Sequence, residues 1–326
     1  MPEDVARRIV VTRRIPGPAL ELLAGAGELW VSPYDRPLTL DELHDSIAGA
    51  DAVVTLLHDH VDDAFVDAAG PQLRVVANVA VGYDNVDVPA CTRRGVIVTN
   101  TPGVLTEATA DIALALILMA TRRLGEAERL VRSGGTWSWS MFFLLGTGVQ
   151  GKTLGVVGLG EIGRATARRA RALGMEVDYA APRRADAAVE DELGARHVPL
   201  EELLATADVV SLHCPLTPET RHLIDGAALA RMKPTAILVN TTRGPVVDEA
   251  ALADALRSGA IAGAGLDVYE REPVVHPALL ELENVVLLPH LGSATVETRT
   301  AMATLAARNV AAVLAGGEPL TPVGRE

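Results

Sequence analysis

Residues Gly158-Leu159-Gly160-Glu161-Ile162-Gly163 place three glycines at the spacing Gly-x-Gly-x-x-Gly. They follow a short apolar run, Thr153–Val157, and lead into a helical pattern that continues to about Leu173. Between a strand and a helix, this spacing is the fingerprint of a dinucleotide-binding turn. Gly158 permits the tight turn, Gly160 lets the backbone approach a pyrophosphate, and Gly163 lets the helix pack closely on the strand. The helix start at Glu161 and Ile162 supplies free N–H groups and the positive end of a dipole. Six such residues recur by chance. The flanking strand and helix give them meaning.

At 326 residues the chain is long enough for two domains, each with its own core. It is 49% hydrophobic and 22% charged, which predicts a folded globular protein rather than a disordered one. A net charge of −13 argues against nucleic acid as a partner, because no basic excess neutralises phosphates. It also means that an anionic substrate needs positive groups placed locally. The two cysteines, Cys91 and Cys214, lie far apart in sequence, so a reducing cytoplasm fits better than a disulfide framework. No apolar signal core opens the chain. The most apolar segment, residues 108–121, is shorter than the roughly 20 residues of a membrane span and contains Asp111. It reads as a buried core helix, and neither a membrane nor a metal is expected as a partner.

Strands are expected at residues 8–12, 51–57, 74–77 and 95–99, with a helical stretch at about 19–26 after the first and helical patterns before the second and third. A second series starts at Gly151, with strands near 153–157, 175–180, 208–212, 236–240, 262–267 and 285–288. Helices are expected between them at 200–206, 248–258 and 277–281, and a final one at 295–315. Strands alternating with helices indicate parallel sheets covered on both faces. The expected fold is therefore α/β: two doubly wound, Rossmann-like domains with an active-site cleft between them. Residues 1–100 with 289–326 form a discontinuous substrate domain, because the last helix packs back on the first unit. Residues 101–288 form the dinucleotide-binding domain.

In such folds ligands sit beyond the carboxyl ends of strands. Arg243 follows one strand end, and its planar fork suits a carboxylate. Glu272 and His290 follow the next two. Taken singly, each has an ordinary explanation as a surface ion pair, a solvated acid or a structural histidine. Together they are the parts of a 2-keto acid reductase. Histidine is suited to protonate a developing alkoxide near neutral pH, a carboxylate partner favours its charged form, and arginine grips the substrate carboxylate and polarises the ketone.

With these residues in hand, the chain resembles the D-isomer-specific 2-hydroxyacid dehydrogenase family over residues 10–322. The likeness is densest in Arg243-Gly244, Gly265-Leu266-Asp267-Val268, Glu272-Pro273 and Pro289-His290-Leu291-Gly292-Ser293-Ala294-Thr295. It implies that Arg243, Glu272 and His290 are catalytic. It implies a carboxylate-binding turn at Val81 and Gly82, a substrate contact at Ser293 and a pocket lined by Leu56, Leu57 and Trp139. Asp267 matches the residue that contacts the nicotinamide carboxamide, and Thr106, Pro215 and Thr241 match cofactor-contacting positions.

Within the family the chain is similar to glyoxylate/hydroxypyruvate reductases. Residues 134–139 resemble the segment that sends a tryptophan, here Trp139, across a homodimer. The proline usual after it is replaced by Met141. Formate dehydrogenases carry glutamine where Glu272 stands, and phosphite dehydrogenases a lysine before the glycine turn. NAD-binding members place an acidic residue at the end of the second strand. Here that position is Ala181, and Arg183 matches the arginine that binds a 2′-phosphate, with Arg184 assisting. The resemblance implies NADP(H) as the preferred cofactor, with NAD(H) possible. The alternatives are a nucleotide-sensing protein like the C-terminal-binding corepressors, or a reductase of another 2-keto acid such as 2-ketogluconate or a phosphoglycerate-like substrate.

Overall fold

The structure, a computed structural model, describes residues 7–324. The chain divides into two compact units, one of residues up to Leu105 with those from Thr295 on, the other Thr106–Ala294.

The first unit holds five strands: β1 Arg8–Val11, β2 Glu28–Val31, β3 Ala52–Thr55, β4 Val75–Asn78 and β5 Ile97–Thr99. Their order is β2-β1-β3-β4-β5, all parallel. The central strands β3 and β4 are buried throughout, which explains their runs of valine and alanine on both faces. The helix Val296–Leu314 packs Ala303, Ala306, Ala307, Val310 and Val313 against Ile9, Val11, Val54 and Ala77. Arg74 Nη1 and Nη2 donate to the carbonyls of Leu314 and Val313, satisfying the end of that helix.

The second unit holds β6 Thr153–Val157, β7 Glu176–Ala180, β8 Ala195–His197, β9 Val209–Leu212, β10 Ile237–Asn240, β11 Gly263–Leu266 and β12 Val285–Leu287. They form one parallel sheet in the order β12-β11-β10-β9-β6-β7-β8. The chain runs from β6 outward to β8, then returns to β9 on the other side of β6. That reversal between β6 and β9 is the switch point at which doubly wound sheets bind ligands. The apolar helix Thr106–Thr121 is buried at Ala110, Ala113, Leu116 and Ile117, and packs on β10 and β11. Among the described residues no helix is long and apolar enough to cross a membrane.

The division at Leu105/Thr106 and Ala294/Thr295 differs from boundaries at 100/101 and 288/289. The difference matters because His290 and Ser293 now belong to the unit that carries the glycine turn. The reason is Asp267, which holds residues 290–292 to the end of β11, as described below. Two strands escape a reading of the sequence, β2 and β8. Both are edge strands, short and only partly buried.

Candidate active site

The glycine turn sits at the switch point, between β6 and the helix Glu161–Ala172. Gly158 has φ 94, and a Cβ there would come within 2.8 Å of Cys214 N. A Cβ on Gly163 would meet Gly158 O at 2.3 Å, so only glycine lets the helix lie this close to the strand. A Cβ on Gly160 would meet nothing within 4 Å. The helix N-terminus at Gly160 has no side-chain cap, which leaves its N–H groups for an anion. An open second glycine facing uncapped amides fits a dinucleotide pyrophosphate. The hydroxyl of Thr241 is buried and lacks a hydrogen-bond partner among the described residues, which also fits a bound polar group. Thr106 Oγ1 donates to Glu161 Oε2 at 3.2 Å, tying two cofactor-position residues together. Pro215 follows β9 across the switch point, where its carbonyl accepts from Thr220.

Three neighbouring strands, β10, β11 and β12, carry the other candidates on the loops after them. Buried Asn240 ends β10 and shapes its loop: its Nδ2 donates to Arg243 O at 3.0 Å, and its Oδ1 accepts from Thr242 N and Oγ1. Arg243 Nη1 donates to Thr242 O at 2.9 Å. The next residue, Gly244, lies so close to Tyr269 that a Cβ would sit 1.7 Å from Tyr269 C. The β10 and β11 loops are thus pressed together.

Glu272 Oε2 lies 2.8 Å from His290 Nδ1, and Glu272 Oε1 accepts the N–H of Tyr269 at 3.1 Å. Burial pushes the Glu272 carboxyl up, but the hydrogen bond and charge of His290, the Tyr269 N–H and the Arg243 charge outweigh it. The net direction is below the ordinary carboxylate value. His290 itself sits at φ 56, a left-handed conformation uncommon for a side-chain-bearing residue. Asp267, fully buried, holds it there. The Asp267 carbonyl accepts His290 N–H at 2.9 Å, and its two carboxylate oxygens accept Leu291 N–H at 2.7 Å and Gly292 N–H at 2.8 Å. Burial holds the Asp267 carboxyl above its ordinary value despite these bonds and the nearby imidazole.

At the other end of the sheet, Asp178 lies in β7 and is bound bidentately by Arg196 of β8, at 3.0 and 2.8 Å. Arg183 is exposed and makes no hydrogen bond or ion pair among the described residues. Arg184 is different: its guanidinium grips Glu190, which also accepts from Tyr179 Oη at 2.6 Å. The Arg184 fork is thus engaged by Glu190, and that of Arg183 is not.

The family described as D-isomer specific 2-hydroxyacid dehydrogenase, NAD binding domain, matches residues 114–292. A glyoxylate reductase of Korarchaeum cryptofilum is 50% identical over 98% of this chain and 96% of its own length. The chain belongs to the D-isomer specific 2-hydroxyacid dehydrogenase family. Two solved relatives share the fold over nearly their whole length. A glyoxylate reductase of Paecilomyes thermophila has a TM-score of 0.89 at 35% identity, covering 99% of each chain. An NADPH-dependent glyoxylate/hydroxypyruvate reductase of Sinorhizobium meliloti, solved with NADP and malonate, has a TM-score of 0.84 at 38% identity, covering 98% and 97%.

As a member of this family the chain is an NAD(P)-dependent dehydrogenase that reduces a 2-keto acid. Arg243, Asp267, Glu272, His290 and Ser293 are brought to one edge of one sheet. Leu56, Leu57, Val81 and Gly82 lie in the first unit, on the loops after β3 and β4. Trp139 is 76% exposed, within an apolar stretch that includes Trp137, Met141 and Phe142. Asn240 and the grip of Asp267 on residues 290–292 are not evident from sequence. Their one signal is a polar residue at the end of a buried strand, where a side chain meets the loops rather than the core.

Proposed function

We propose that the protein reduces glyoxylate and hydroxypyruvate to glycolate and D-glycerate, with NADPH as the preferred reductant. The observation that carries this reading is the Glu272–His290 pair at 2.8 Å on loops beside the one bearing Arg243. Residues Gly158, Gly160, Glu161, Ile162, Gly163, Thr106, Pro215, Thr241 and Asp267 hold the dinucleotide, which when bound supplies a hydride to the carbonyl carbon. His290, with Nδ1 on Glu272, passes a proton from Nε2 to the oxygen as it gains charge. Arg243 presents its guanidinium to the substrate carboxylate and ketone oxygen, favouring the transition state over the ground state. By the family resemblance the Val81 and Gly82 N–H groups are carboxylate donors, and Ser293, Leu56, Leu57 and Trp139 are substrate-contacting positions.

The NADPH preference rests on the 181–184 loop. Ala181 offers no acid to a ribose hydroxyl, Asp178 is occupied by Arg196, and Arg183 has no partner among the described residues. A homodimer is part of the same reading, supported by the exposed apolar side chains at 137–145, which a second copy covers. Both cysteines are buried and free, in keeping with a cytoplasmic location.

The test is a panel of 2-keto acids assayed with both nucleotides. Glyoxylate or hydroxypyruvate should give the highest kcat/KM, and with NADPH. A clear preference for a bulkier acid, or for NADH, would overturn the corresponding half of the proposal.

A further inference from the structure

The turn at residues 80–83 has a polarity that its neighbours impose. The Ala80 carbonyl accepts Thr101 N–H at 2.8 Å, the Val81 carbonyl accepts from Asn100 Nδ2 at 2.8 Å, and the Gly82 carbonyl accepts from Asn78 Nδ2 at 3.2 Å. In a planar trans peptide the N–H points opposite to the C=O. The N–H groups of Val81, Gly82 and Tyr83 therefore point away from those three donors. Among the described residues, nothing accepts a hydrogen bond from any of the three. Successive backbone N–H groups in a turn, left without acceptors, are the donor set of an anion-binding nest.

The two asparagines are themselves fixed. Asn78 ends β4 and is wholly buried, with Oδ1 accepting from Thr55 Oγ1 at 3.1 Å, so its Nδ2 is turned toward Gly82. Asn78 Nδ2 also donates to Asn85 Oδ1 at 3.2 Å, and Asn85 Nδ2 donates to the carbonyls of Leu56 and Asp59 at 3.2 and 2.9 Å. One pair of side-chain amides thus ties the turn to the loop carrying Leu56 and Leu57. Asn100 is held from the other side, its N–H on Thr321 O at 3.3 Å and its carbonyl accepting Thr321 Oγ1 at 2.6 Å. An asparagine suits both places because its amide donates and accepts without adding charge beside a bound anion.

We propose that Asn78 and Asn100 are positioning residues that aim the backbone N–H groups of Val81, Gly82 and Tyr83 at the substrate carboxylate. The proposal rests on the reading that this turn takes the carboxylate of a 2-keto acid. It assigns the two side chains a role in substrate affinity. They do not touch the substrate, and the proton donor and the guanidinium lie on other loops. Loss of either amide frees a peptide plane to rotate its carbonyl toward the anion.

Asn100→Ala, Asn100→Asp and Asn78→Ala are compared with the parent for glyoxylate KM, kcat, NADPH Kd and thermal midpoint. The proposal expects KM to rise by about ten- to a hundredfold, the worth of a hydrogen bond to a charged group. It expects kcat and NADPH Kd to stay near parental values, and Asn100→Asp to be worse than Asn100→Ala because it puts a carboxylate beside the turn. An unchanged KM overturns it, as does a fall of kcat and NADPH affinity in step with the thermal midpoint. Should a buried variant fail to fold, amide NMR of the parent decides. Malonate added to the NADP-bound protein should shift the Val81, Gly82 and Tyr83 resonances, and their failure to move overturns the proposal. A parent protein that reduces no 2-keto acid would instead remove the substrate reading itself, and this inference with it.

Discussion

Glu272 Oε2 and His290 Nδ1 lie 2.8 Å apart, with the carboxylate's other oxygen fixed by Tyr269 N–H. The bond orients the imidazole and leaves Nε2 as the nitrogen available to a substrate. The backbone of His290, at φ 56, adopts a conformation that costs on the order of 1–3 kcal/mol and persists only where surroundings over-determine it. Here the surroundings are the three acceptors of Asp267. The strained backbone sets the imidazole against Glu272.

His290→Gln keeps the volume and loses the proton. Turnover should fall by about 10² to 10⁴, the usual contribution of a positioned general acid. NADPH affinity, measured by fluorescence titration, should barely change. A kcat close to that of the parent would remove His290 from the mechanism.

Glu272→Gln tests the partner through pH. The Glu272 carboxyl is held below its ordinary value, so it is a carboxylate at neutral pH. Its contribution to stability is present above the unfolded carboxyl pKa of about 4.3 and is lost as pH falls through the lower folded value. An adjacent carboxylate favours the imidazolium needed for ketone reduction. In the variant the high-pH fall in reduction rate should therefore begin at lower pH, and the part of the thermal stability that the parent loses on acidification below about pH 4.3 should shrink. A rate profile that superimposes on the parent's would show that Glu272 does not act through His290.

Arg243→Lys retains the charge and loses the planar fork. A drop of at least about tenfold in kcat/KM is expected, because a single ammonium cannot replace two parallel hydrogen bonds. Near-parental kinetics would assign Arg243 to the shape of its loop alone.

How much of this is legible before folding follows from what each residue needs. Strands such as β3, β6 and β10 are runs of apolar residues buried on both faces, so composition reveals them. β8 is Ala195-Arg196-His197 and hides its strand character, because Arg196 faces out to Asp178 and an edge strand needs no apolar run. Arg243, Glu272 and His290 are legible because each follows a strand. The grip of Asp267 on residues 290–292 is not, since its partners are backbone N–H groups on a loop that only the sheet order brings near. Arg184 and Glu190 are six residues apart, a separation with no helical or strand periodicity, so their pairing appears only when the 181–186 loop is folded.

Arg183→Ala and Arg184→Ala should therefore behave differently. Loss of Arg183 should reduce the NADPH preference by about ten- to a hundredfold, the value of a charge-assisted hydrogen bond, and leave NADH turnover largely intact. Loss of Arg184 releases Glu190 and Tyr179 and should affect the preference far less. Equal losses in the two variants, read as the NADPH-to-NADH ratio of kcat/KM, would count against the separate roles.

D-specific reduction of a 2-keto acid is read most directly from the hand and yield of its product. Purified protein is given hydroxypyruvate and NADPH, and the glycerate formed is resolved on a chiral column against the loss of nicotinamide absorbance. D-glycerate is expected, one molecule for each NADPH consumed. L-glycerate, or tight NADPH binding with no glycerate formed, would contradict it.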